Sequence, residues 1–392
     1  MNILKTKKRK FLPYGIHSIC NDDVEAVSNA LVQEYITSGQ SIELFEQKLS
    51  KLTSAKYAVV CSNGTAALHL ACLATGLQKG DVAIVPSVSF LATANAVRYC
   101  GAEVLFADVC PKTGLMTSET YEEAIAVANS GGLKVKAVLP VHLTGTPVEL
   151  KKIYELSKNQ NIKIVADSCH AIGGSYLNKP IGACIFEDLA TFSFHPVKTV
   201  TSGEGGAVTT NDLSAANKMK ALRSHNMNKS ESMFTWEYEM HELGFNYRIN
   251  DFQCALGISQ LKKLGRFVKK RQALVAIYDK ALSAFWPVIR TRVNLSNRKD
   301  IAPHLYSILI DFSAVNLSRQ QVIEDLEKLG VGTQVHYIPI HTQPYYEKRY
   351  GKVELKGAKK YYGSTLSLPL FPLMEPEDVN YVVWSLKKVL GI

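Results

Sequence analysis

Short apolar runs rich in β-branched residues alternate with stretches of helical periodicity from about residue 41 to residue 210. This alternation predicts right-handed crossovers and a mostly parallel sheet covered by helices on both faces. Ligands bind beyond the carboxyl ends of the strands in such a sheet, so we expect the chemistry there. The predicted strands are Tyr57–Val60, Val82–Val85, Val104–Phe106, Val135–Val141 and Ile162–Val165, and the predicted helices are Ser41–Thr53, Thr65–Leu77, Ala92–Tyr99, Tyr121–Ala128 and Leu150–Ser157.

The pattern becomes more mixed after residue 250. Asp251–Phe285 is helical in period with few breakers and predicts one long helix. The residues after it predict a smaller α+β unit, and 392 residues are enough for two domains. The elements predicted there are strands at Leu305–Asp311 and Val335–Ile338 and helices at Arg319–Leu329 and Glu377–Val389. The predicted divisions are a basic tail at residues 1–12, a large domain at residues 13–260 and a small C-terminal domain at residues 261–392.

The cysteines and the apolar runs indicate the compartment. None of the eight cysteines forms a C-x-x-C pair, and most lie inside strand or helix patterns, as reduced thiols do in cytosolic proteins. No secretory signal can be recognised, and no run approaches 18 consecutive apolar residues. We therefore predict a cytoplasmic protein with no disulfide scaffold, no metal site and no membrane partner.

The formal net charge is +10, and part of this surplus is concentrated near the N-terminus. A nucleic-acid-binding arm has such a composition, and so does a solvated tail. No helix-turn-helix, zinc-finger or aromatic RNA-binding signature follows, so we predict no nucleic-acid partner. The rest of the surplus suits a protein that handles phosphates, nucleotides or dicarboxylates. The basic residues near the N-terminus are Lys5, Lys7, Lys8, Arg9 and Lys10.

A small polar turn joins the first predicted strand to the next helix, which opens at Gly64 and Thr65. Free N–H groups and the helix dipole form a seat for a phosphate at such a helix start, and Thr65 adds a hydroxyl donor. An ordinary helix capped by Ser62 or Asn63 fits the same residues. The G-K-[ST] ending of a nucleotide-binding Walker loop is absent.

An apolar strand that ends in Asp167 provides a second candidate. A carboxylate at the end of a central parallel strand points into the ligand crevice, where it could hold a metal, a ribose hydroxyl or a protonated ring nitrogen. The alternative is a helix N-cap at Asp167.

Lys198 is the third candidate, because it lies among apolar and hydroxyl residues before a glycine-rich turn. A sheltered lysine can have a depressed pKa and act as a Schiff-base amine, although a single lysine near a turn is usually solvated. Ser193, five residues earlier, is placed to reach the same phosphate as Thr65.

These three features together meet the demands of pyridoxal phosphate. The anion seat anchors the phosphate, the Asp167 carboxylate keeps the pyridine nitrogen protonated and Lys198 binds the aldehyde. Phe90, just past a predicted strand, is placed to provide a stacking face for the flat ring.

Seven motifs, in this order along the chain, resemble those of the DegT/DnrJ/EryC1/StrS sugar aminotransferases. The resemblance runs from about Tyr14 to the C-terminus, and the ordered set is highly specific. The motifs are Thr37–Gly39, Ser62–Leu68, Asp167–Ala171, Ser193–Lys198, Gly203–Ala207, Gly244–Arg248 and Val335–Pro339.

The resemblance implies a fold-type-I, pyridoxal-phosphate-dependent homodimer with shared active sites that acts on a nucleotide-linked keto sugar. By this resemblance Lys198 is the Schiff-base lysine, Asp167 pairs with the pyridinium nitrogen, His170 lies near the ring hydroxyl and Phe90 stacks on the ring. The implied phosphate ligands are Gly64, Thr65 and Ser193, with Asn246 of the partner chain, and the implied substrate residues are Thr37, Ser38, His304, His336 and Tyr337.

The stretches His336–Tyr346 and His304–Tyr306 most resemble the aminotransferases of pseudaminic acid synthesis. That branch aminates a UDP-linked 4-keto-6-deoxy-N-acetyl-L-altrosamine-type sugar with glutamate, which leaves as 2-oxoglutarate. Thr342, where a more apolar residue is expected, and Cys169 depart from the pattern.

Three alternatives remain open at this point. One is an aminotransferase for another nucleotide keto sugar, of perosamine, bacillosamine or aminoarabinose type. Another is a sugar dehydratase, but such relatives carry histidine where this chain has Lys198. The third is a non-catalytic DegT-like regulatory protein, which the full catalytic set disfavours.

Overall fold

The computed structural model describes residues 11–228, 234–291 and 300–392. Most of the predicted basic tail therefore lies outside the described residues. The helices are α1 (Asn21–Leu31), α2 (Gln40–Thr53), α3 (Gly64–Ala74), α4 (Leu91–Tyr99), α5 (Ser118–Ser130), α6 (Leu150–Lys158), α7 (Leu213–Arg223), α8 (Asp251–Leu261), α9 (Leu264–Leu282), α10 (Arg319–Lys328), α11 (Pro344–Tyr350), α12 (Lys356–Ser364) and α13 (Pro376–Leu390). The strands are β1 (Tyr57–Cys61), β2 (Val82–Pro86), β3 (Glu103–Ala107), β4 (Val135–Val138), β5 (Lys163–Asp167), β6 (Ser175–Tyr176), β7 (Lys179–Pro180), β8 (Leu189–Ser193), β9 (Gly206–Thr210), β10 (Ile289–Arg290), β11 (Tyr306–Ile310) and β12 (Thr365–Leu368).

Seven strands form the central sheet, in the order β1-β9-β8-β5-β4-β2-β3. The pairs from β8 to β3 are parallel, whereas β9 runs antiparallel to both β8 and β1. The prediction of a mostly parallel sheet is therefore confirmed. The antiparallel strand arises because β8 and β9 are joined by a loop without a helical crossover, and such a connection reverses the chain direction.

Both faces of this sheet are buried. Along β1, Ala58 and Val60 belong to one apolar core while Val59 and Cys61 belong to another, as the alternation of side chains across a strand requires. Helices cover both faces in this way, and the carboxyl ends of the parallel strands remain the open edge.

A second sheet, in the order β10-β11-β12, supports a third apolar core in the C-terminal part of the chain. Helix α9 packs in two cores, since Phe267 and Val268 join the first core while Leu274 and Tyr278 join the third. The division between residues 260 and 261 stays a prediction. In the parts of the chain that the structure describes, no helix is both long and apolar enough to span a membrane.

Two predicted elements differ from the structure. Asp251–Phe285 is not one helix, because α8 ends at Leu261 and α9 begins at Leu264. The two helices have different neighbours, since α8 packs on α1 and α2 while α9 packs on α13. Val335–Ile338 is not a strand. Its neighbour Gln334 makes one bridge to Ser367 of β12, and the chain then crosses to the large sheet, where the N–H of Ile340 donates to the carbonyl of Ser87.

Candidate active site

A cavity of about 900 Å³ opens at the carboxyl ends of β5 and β8, beside the N-terminus of α3. Its wall combines residues of the large sheet with residues near the small sheet. Ten of the sequence-predicted site residues line it: Gly64, Thr65, Phe90, Asp167, His170, Ser193, Lys198, His304, His336 and Tyr337.

Asp167 is the last residue of β5, and its side chain is almost fully buried. The Thr93 hydroxyl, on α4, donates to Asp167 Oδ2 at 2.7 Å, and the backbone N–H of Cys169 donates to Asp167 Oδ1 at 3.1 Å. Both carboxylate oxygens are therefore fixed, and each keeps a lone pair for a further donor in the cavity.

Thr93 was not singled out from the sequence. It lies in the first turn of α4, where its hydroxyl also contacts Ser89 Oγ at 2.7 Å, and both side chains are buried. One threonine in an alanine-rich helix gives no sequence signal of such a role. Only the crossover of α4 over the sheet brings it to Asp167.

Lys198 lies in the loop that follows β8, half-buried in the cavity wall. Burial lowers the pKa of its amine, and the nearby Cys169 and Asp167 oppose this shift. An amine with a lowered pKa loses its proton more readily than a solvent-exposed lysine, which makes it a better nucleophile and base.

Helix α3 begins at Gly64, next to the end of β8. Asn63 caps it by accepting the N–H of Ala66 at 2.8 Å, so the donors left over in the first turn are those of Gly64 and Thr65. A Cβ on Gly64 would lie 2.7 Å from Ser193 Cβ, and only glycine allows this approach. The Ser193 hydroxyl therefore lies beside the helix start, and the two together form an anion seat.

His170 lies three residues beyond Asp167 and has its tautomer set by its partners. The backbone N–H of Thr144 donates to His170 Nδ1 at 3.2 Å, so in the neutral ring the proton is on Nε2, which is 3.2 Å from the Tyr337 hydroxyl. His170 therefore donates to Tyr337, whose own O–H is left to donate elsewhere.

His304 packs against His170, with ring centroids 4.5 Å apart. Burial, followed by electrostatic interaction with His170 and Lys198, holds the pKa of His304 well below its usual value. Its Nδ1 has no hydrogen-bond partner among the residues described. His304 is thus a neutral imidazole on the cavity wall with unused hydrogen-bonding capacity.

His336 is also held neutral, since burial lowers its pKa to about 3. Its Nδ1 lies 2.8 Å from the Ser367 hydroxyl of β12. Tyr14 packs against the His336 ring and lines the cavity, which adds the N-terminal segment to the site. Nothing in the sequence around Tyr14 marks it as a site residue.

Phe90 immediately precedes α4, at its N-cap position, and lines the cavity with its aromatic ring. Its side chain is 55% exposed, and the Tyr337 ring lies 6.0 Å away. An exposed aromatic face on a cavity wall suits a flat ring as ligand.

Three predicted site residues do not line the cavity of their own chain: Thr37, Ser38 and Asn246. All three are exposed. Thr37 bridges to Asn250 and Asn246 bridges to Ser224, so both lie on the protein surface with their backbones held in place.

The residues around the cavity fit pyridoxal phosphate. N–H and hydroxyl donors converge at the anion seat, while Asp167 supplies a carboxylate with lone pairs to spare. Lys198 supplies an amine with a lowered pKa, and Phe90 supplies an aromatic face. A phosphate, a ring nitrogen, an aldehyde and a ring face thus each have a counterpart.

Comparison with known proteins agrees with this assignment. The model of the DegT/DnrJ/EryC1/StrS aminotransferase family matches residues 17–387. The chain is 36% identical over 381 residues to a UDP-4-amino-4,6-dideoxy-N-acetyl-beta-L-altrosamine transaminase of Campylobacter jejuni, with 97% of each chain covered. Helicobacter pylori PseC, an aminotransferase involved in the biosynthesis of pseudoaminic acid, has a similar structure, with a TM-score of 0.90, 31% identity, and 97% of this chain and 100% of that one covered. Bacillus subtilis NtdA with bound cofactor PMP is similar at a TM-score of 0.84 and 28% identity, with 98% of this chain and 87% of that one covered.

Proposed function

We propose, because this chain belongs to the DegT/DnrJ/EryC1/StrS aminotransferase family, that it uses pyridoxal 5′-phosphate to transfer the amino group of glutamate to a nucleotide-linked 4-keto-6-deoxy sugar. The observation that carries this proposal is the cavity that joins Lys198, Asp167 and the anion seat. The acceptor is a UDP-linked 4-keto-6-deoxy-N-acetyl-L-altrosamine-type sugar, and the 4-amino product serves pseudaminic acid synthesis. The names and titles of the relatives support this choice of sugar and pathway.

In this proposal the phosphate of the cofactor binds Gly64, Thr65 and Ser193 at the start of α3. Phe90 would pack on the ring, and the Asp167 carboxylate would accept a hydrogen bond from the N–H of the protonated ring nitrogen. When bound, the cofactor supplies an electron sink for the carbanion that forms as an amino group is transferred. Asp167 maintains that sink by keeping the ring nitrogen protonated.

Lys198 has two tasks in this scheme. Its amine would hold the cofactor through the aldehyde, and as a free amine it would remove and return the proton at the substrate carbon. Burial favours both tasks, because it lowers the pKa of the amine and thereby raises the fraction without a proton.

The imidazole and phenol groups on the other wall are suited to the sugar. His304 and His336 are held neutral by burial, and the Tyr337 hydroxyl accepts from His170. Neutral donors and acceptors match the hydroxyl and N-acetyl groups of a sugar better than they match a charged ligand. We assign these three residues to the substrate side of the cavity.

The active form is proposed to be a homodimer with shared sites. Asn246 is exposed and lies outside the cavity of its own chain. The nearby Phe234, Trp236 and Leu243 are 70%, 72% and 79% exposed, which is unusual for such large apolar side chains unless a partner covers them. A second copy would bury this surface and bring its Asn246, with Thr37 and Ser38, toward the cavity.

A mixture of two inactive variants tests this shared site. Lys198→Ala and Asn246→Asp, dissociated together and reassembled, should regain activity, because one of the two sites in each mixed dimer is then wild type. Random reassembly gives about a quarter of wild-type activity. The measurement is amino transfer from glutamate before and after mixing.

A matched control uses two variants from the same side of the site. A mixed dimer of Lys198→Ala and Asp167→Asn contains no wild-type site, so it should regain nothing. Equal recovery in both mixtures, or full activity of a monomer in light scattering, would contradict the shared site.

A substrate panel tests the choice of sugar. With glutamate as donor, we expect kcat/KM for the UDP-linked N-acetyl sugar to exceed that for GDP-4-keto-6-deoxymannose or a UDP-linked 4-keto pentose by about a hundredfold or more. The reason is that a site built to hydrogen-bond a group rejects analogues that lack it. Equal or better amination of the GDP sugar would show that the proposed UDP-linked acceptor is wrong, while the proposed aminotransferase activity would still hold.

A further inference from the structure

Helix α4 holds the carboxylate of Asp167 through a chain of two buried hydroxyls. Thr93 Oγ1 lies 2.7 Å from Asp167 Oδ2, and Ser89 Oγ lies 2.7 Å from Thr93 Oγ1. Thr93 is fully buried and Ser89 is 2% exposed. Two polar side chains buried this deeply are costly to keep unless their hydrogen bonds are satisfied.

The donor and acceptor in each of these two hydrogen bonds follow from counting the hydroxyl protons. An ionised carboxylate only accepts, so the single hydroxyl proton of Thr93 is used toward Asp167. The contact between Ser89 and Thr93 can then form in one way only, with Ser89 donating to Thr93. The Ser89 hydroxyl polarises the Thr93 hydroxyl, which in turn strengthens the hydrogen bond to the Asp167 carboxylate oxygen.

The other carboxylate oxygen is held independently by the backbone N–H of Cys169. Without Thr93 the Asp167 side chain would be held at one oxygen and could turn about its last torsion. With Thr93 present, both oxygens of the Asp167 carboxylate are held, so the direction of their remaining lone pairs in the cavity is defined.

The same turn of α4 carries Phe90, which lines the cavity. The backbone N–H of Thr93 donates to the carbonyl of Phe90 at 3.2 Å. The aromatic face and the hydroxyl that fixes Asp167 thus belong to one hydrogen-bonded turn and keep a constant relation to each other.

We propose that Thr93, oriented by Ser89, is a positioning residue that fixes the Asp167 carboxylate for the ring nitrogen of the cofactor while Phe90 sets the plane of the ring. This inference rests on the proposed function, since it needs a ring nitrogen at Asp167. Neither Thr93 nor Ser89 stands out in the sequence as a candidate site residue. Thr93 acts through Asp167 and contacts no reacting atom.

The experiment measures cofactor binding as well as turnover. Thr93→Val keeps the shape of the side chain and removes the hydroxyl. Its dissociation constant for pyridoxal phosphate, titrated into apo protein by absorbance, should rise by about tenfold to a hundredfold. The kcat for amino transfer should fall while KM for the nucleotide sugar stays within about twofold of wild type.

Two further variants separate positioning from packing. Thr93→Ser restores the hydroxyl without the methyl group and should recover most of the cofactor affinity. Thr53→Val removes another buried helical threonine hydroxyl, one that donates to the carbonyl of Leu49 far from the cavity, and should leave the dissociation constant unchanged. Thermal unfolding of each apo variant measures the loss of stability separately.

The outcomes distinguish the two levels of inference. If wild-type protein binds no pyridoxal phosphate, the proposed function fails and this inference fails with it. If wild type binds while Thr93→Val binds equally well, only the positioning role is wrong. A Thr93→Ser variant as weak as Thr93→Val would also overturn it, because packing rather than the hydroxyl would then be responsible.

Discussion

Lys198→Ala is expected to reduce amino transfer from glutamate to less than about a thousandth of the wild-type rate, since in the proposed mechanism it removes both the amine that binds the cofactor and the group that moves the proton. The cavity places this amine near Asp167 and Cys169, and burial lowers its pKa. The measurement is single-turnover and steady-state transfer with the nucleotide sugar, alongside thermal unfolding to establish that the variant folds.

Lys198→Arg is the matched control for charge. It keeps a cation in the wall but offers no nucleophilic amine, because the guanidinium is not deprotonated in proteins. The arginine variant should therefore be as inactive as the alanine variant. Activity above about a thousandth of wild type in either variant is incompatible with the role given to Lys198.

Asp167→Asn is expected to keep the cofactor bound at saturating pyridoxal phosphate and to lower kcat by a factor of about a hundred or more. The amide retains an oxygen that can accept from Thr93 or Cys169, so the local shape survives. It carries no negative charge to stabilise a protonated ring nitrogen, and losing one electrostatic stabiliser in a buried site has an effect of about this size. The absorbance spectrum of the purified variant measures occupancy, and transfer from glutamate measures the rate.

Asp188→Asn serves as the control carboxylate. Asp188 precedes β8, at the edge of the sheet opposite Ser193, where it accepts from the backbone of Ile164 and pairs with Lys163. Its replacement should change thermal stability without changing the cofactor spectrum or kcat. An unaltered rate in Asp167→Asn with full occupancy would show that the carboxylate is not the partner of the ring nitrogen.

The sheet could be predicted from the sequence because its strands are buried on both faces and read as short apolar runs. The direction of β9 could not, since an apolar run reads the same in either direction. The break between α8 and α9 was also missed, because Lys262 and Lys263 are good helix formers and the helix ends there for tertiary reasons. Val335–Ile338 has the composition of a strand, but only Gln334 beside it finds a strand partner.

For the site, the sequence was informative where a residue type is chemically unusual in its setting. A strand-end acid at Asp167 and a sheltered amine at Lys198 are of this kind, and the cavity contains both. Thr93 and Tyr14 are ordinary residue types in their sequence context. Only the packing of distant segments places Thr93 against Asp167 and Tyr14 in the cavity wall. The place of Asn246 depends on a second chain, so its role stays a prediction.

The antiparallel pairing of β1 with β9 makes the large sheet depend on two segments that are far apart in the chain. Cys61 pairs with Gly206, so the first strand of the sheet finds its neighbour only after about 145 further residues have left the ribosome. Until then the buried side chains of β1 and its unpaired backbone groups remain open to other chains. Helix α3 follows β1 directly but packs on β8 and β9, so its start meets these neighbours only after both later strands have been made. Strand β9 thus completes both the sheet beside the start of α3 and the loop that carries Lys198, so two parts of the cavity wall depend on the same late segment of the chain.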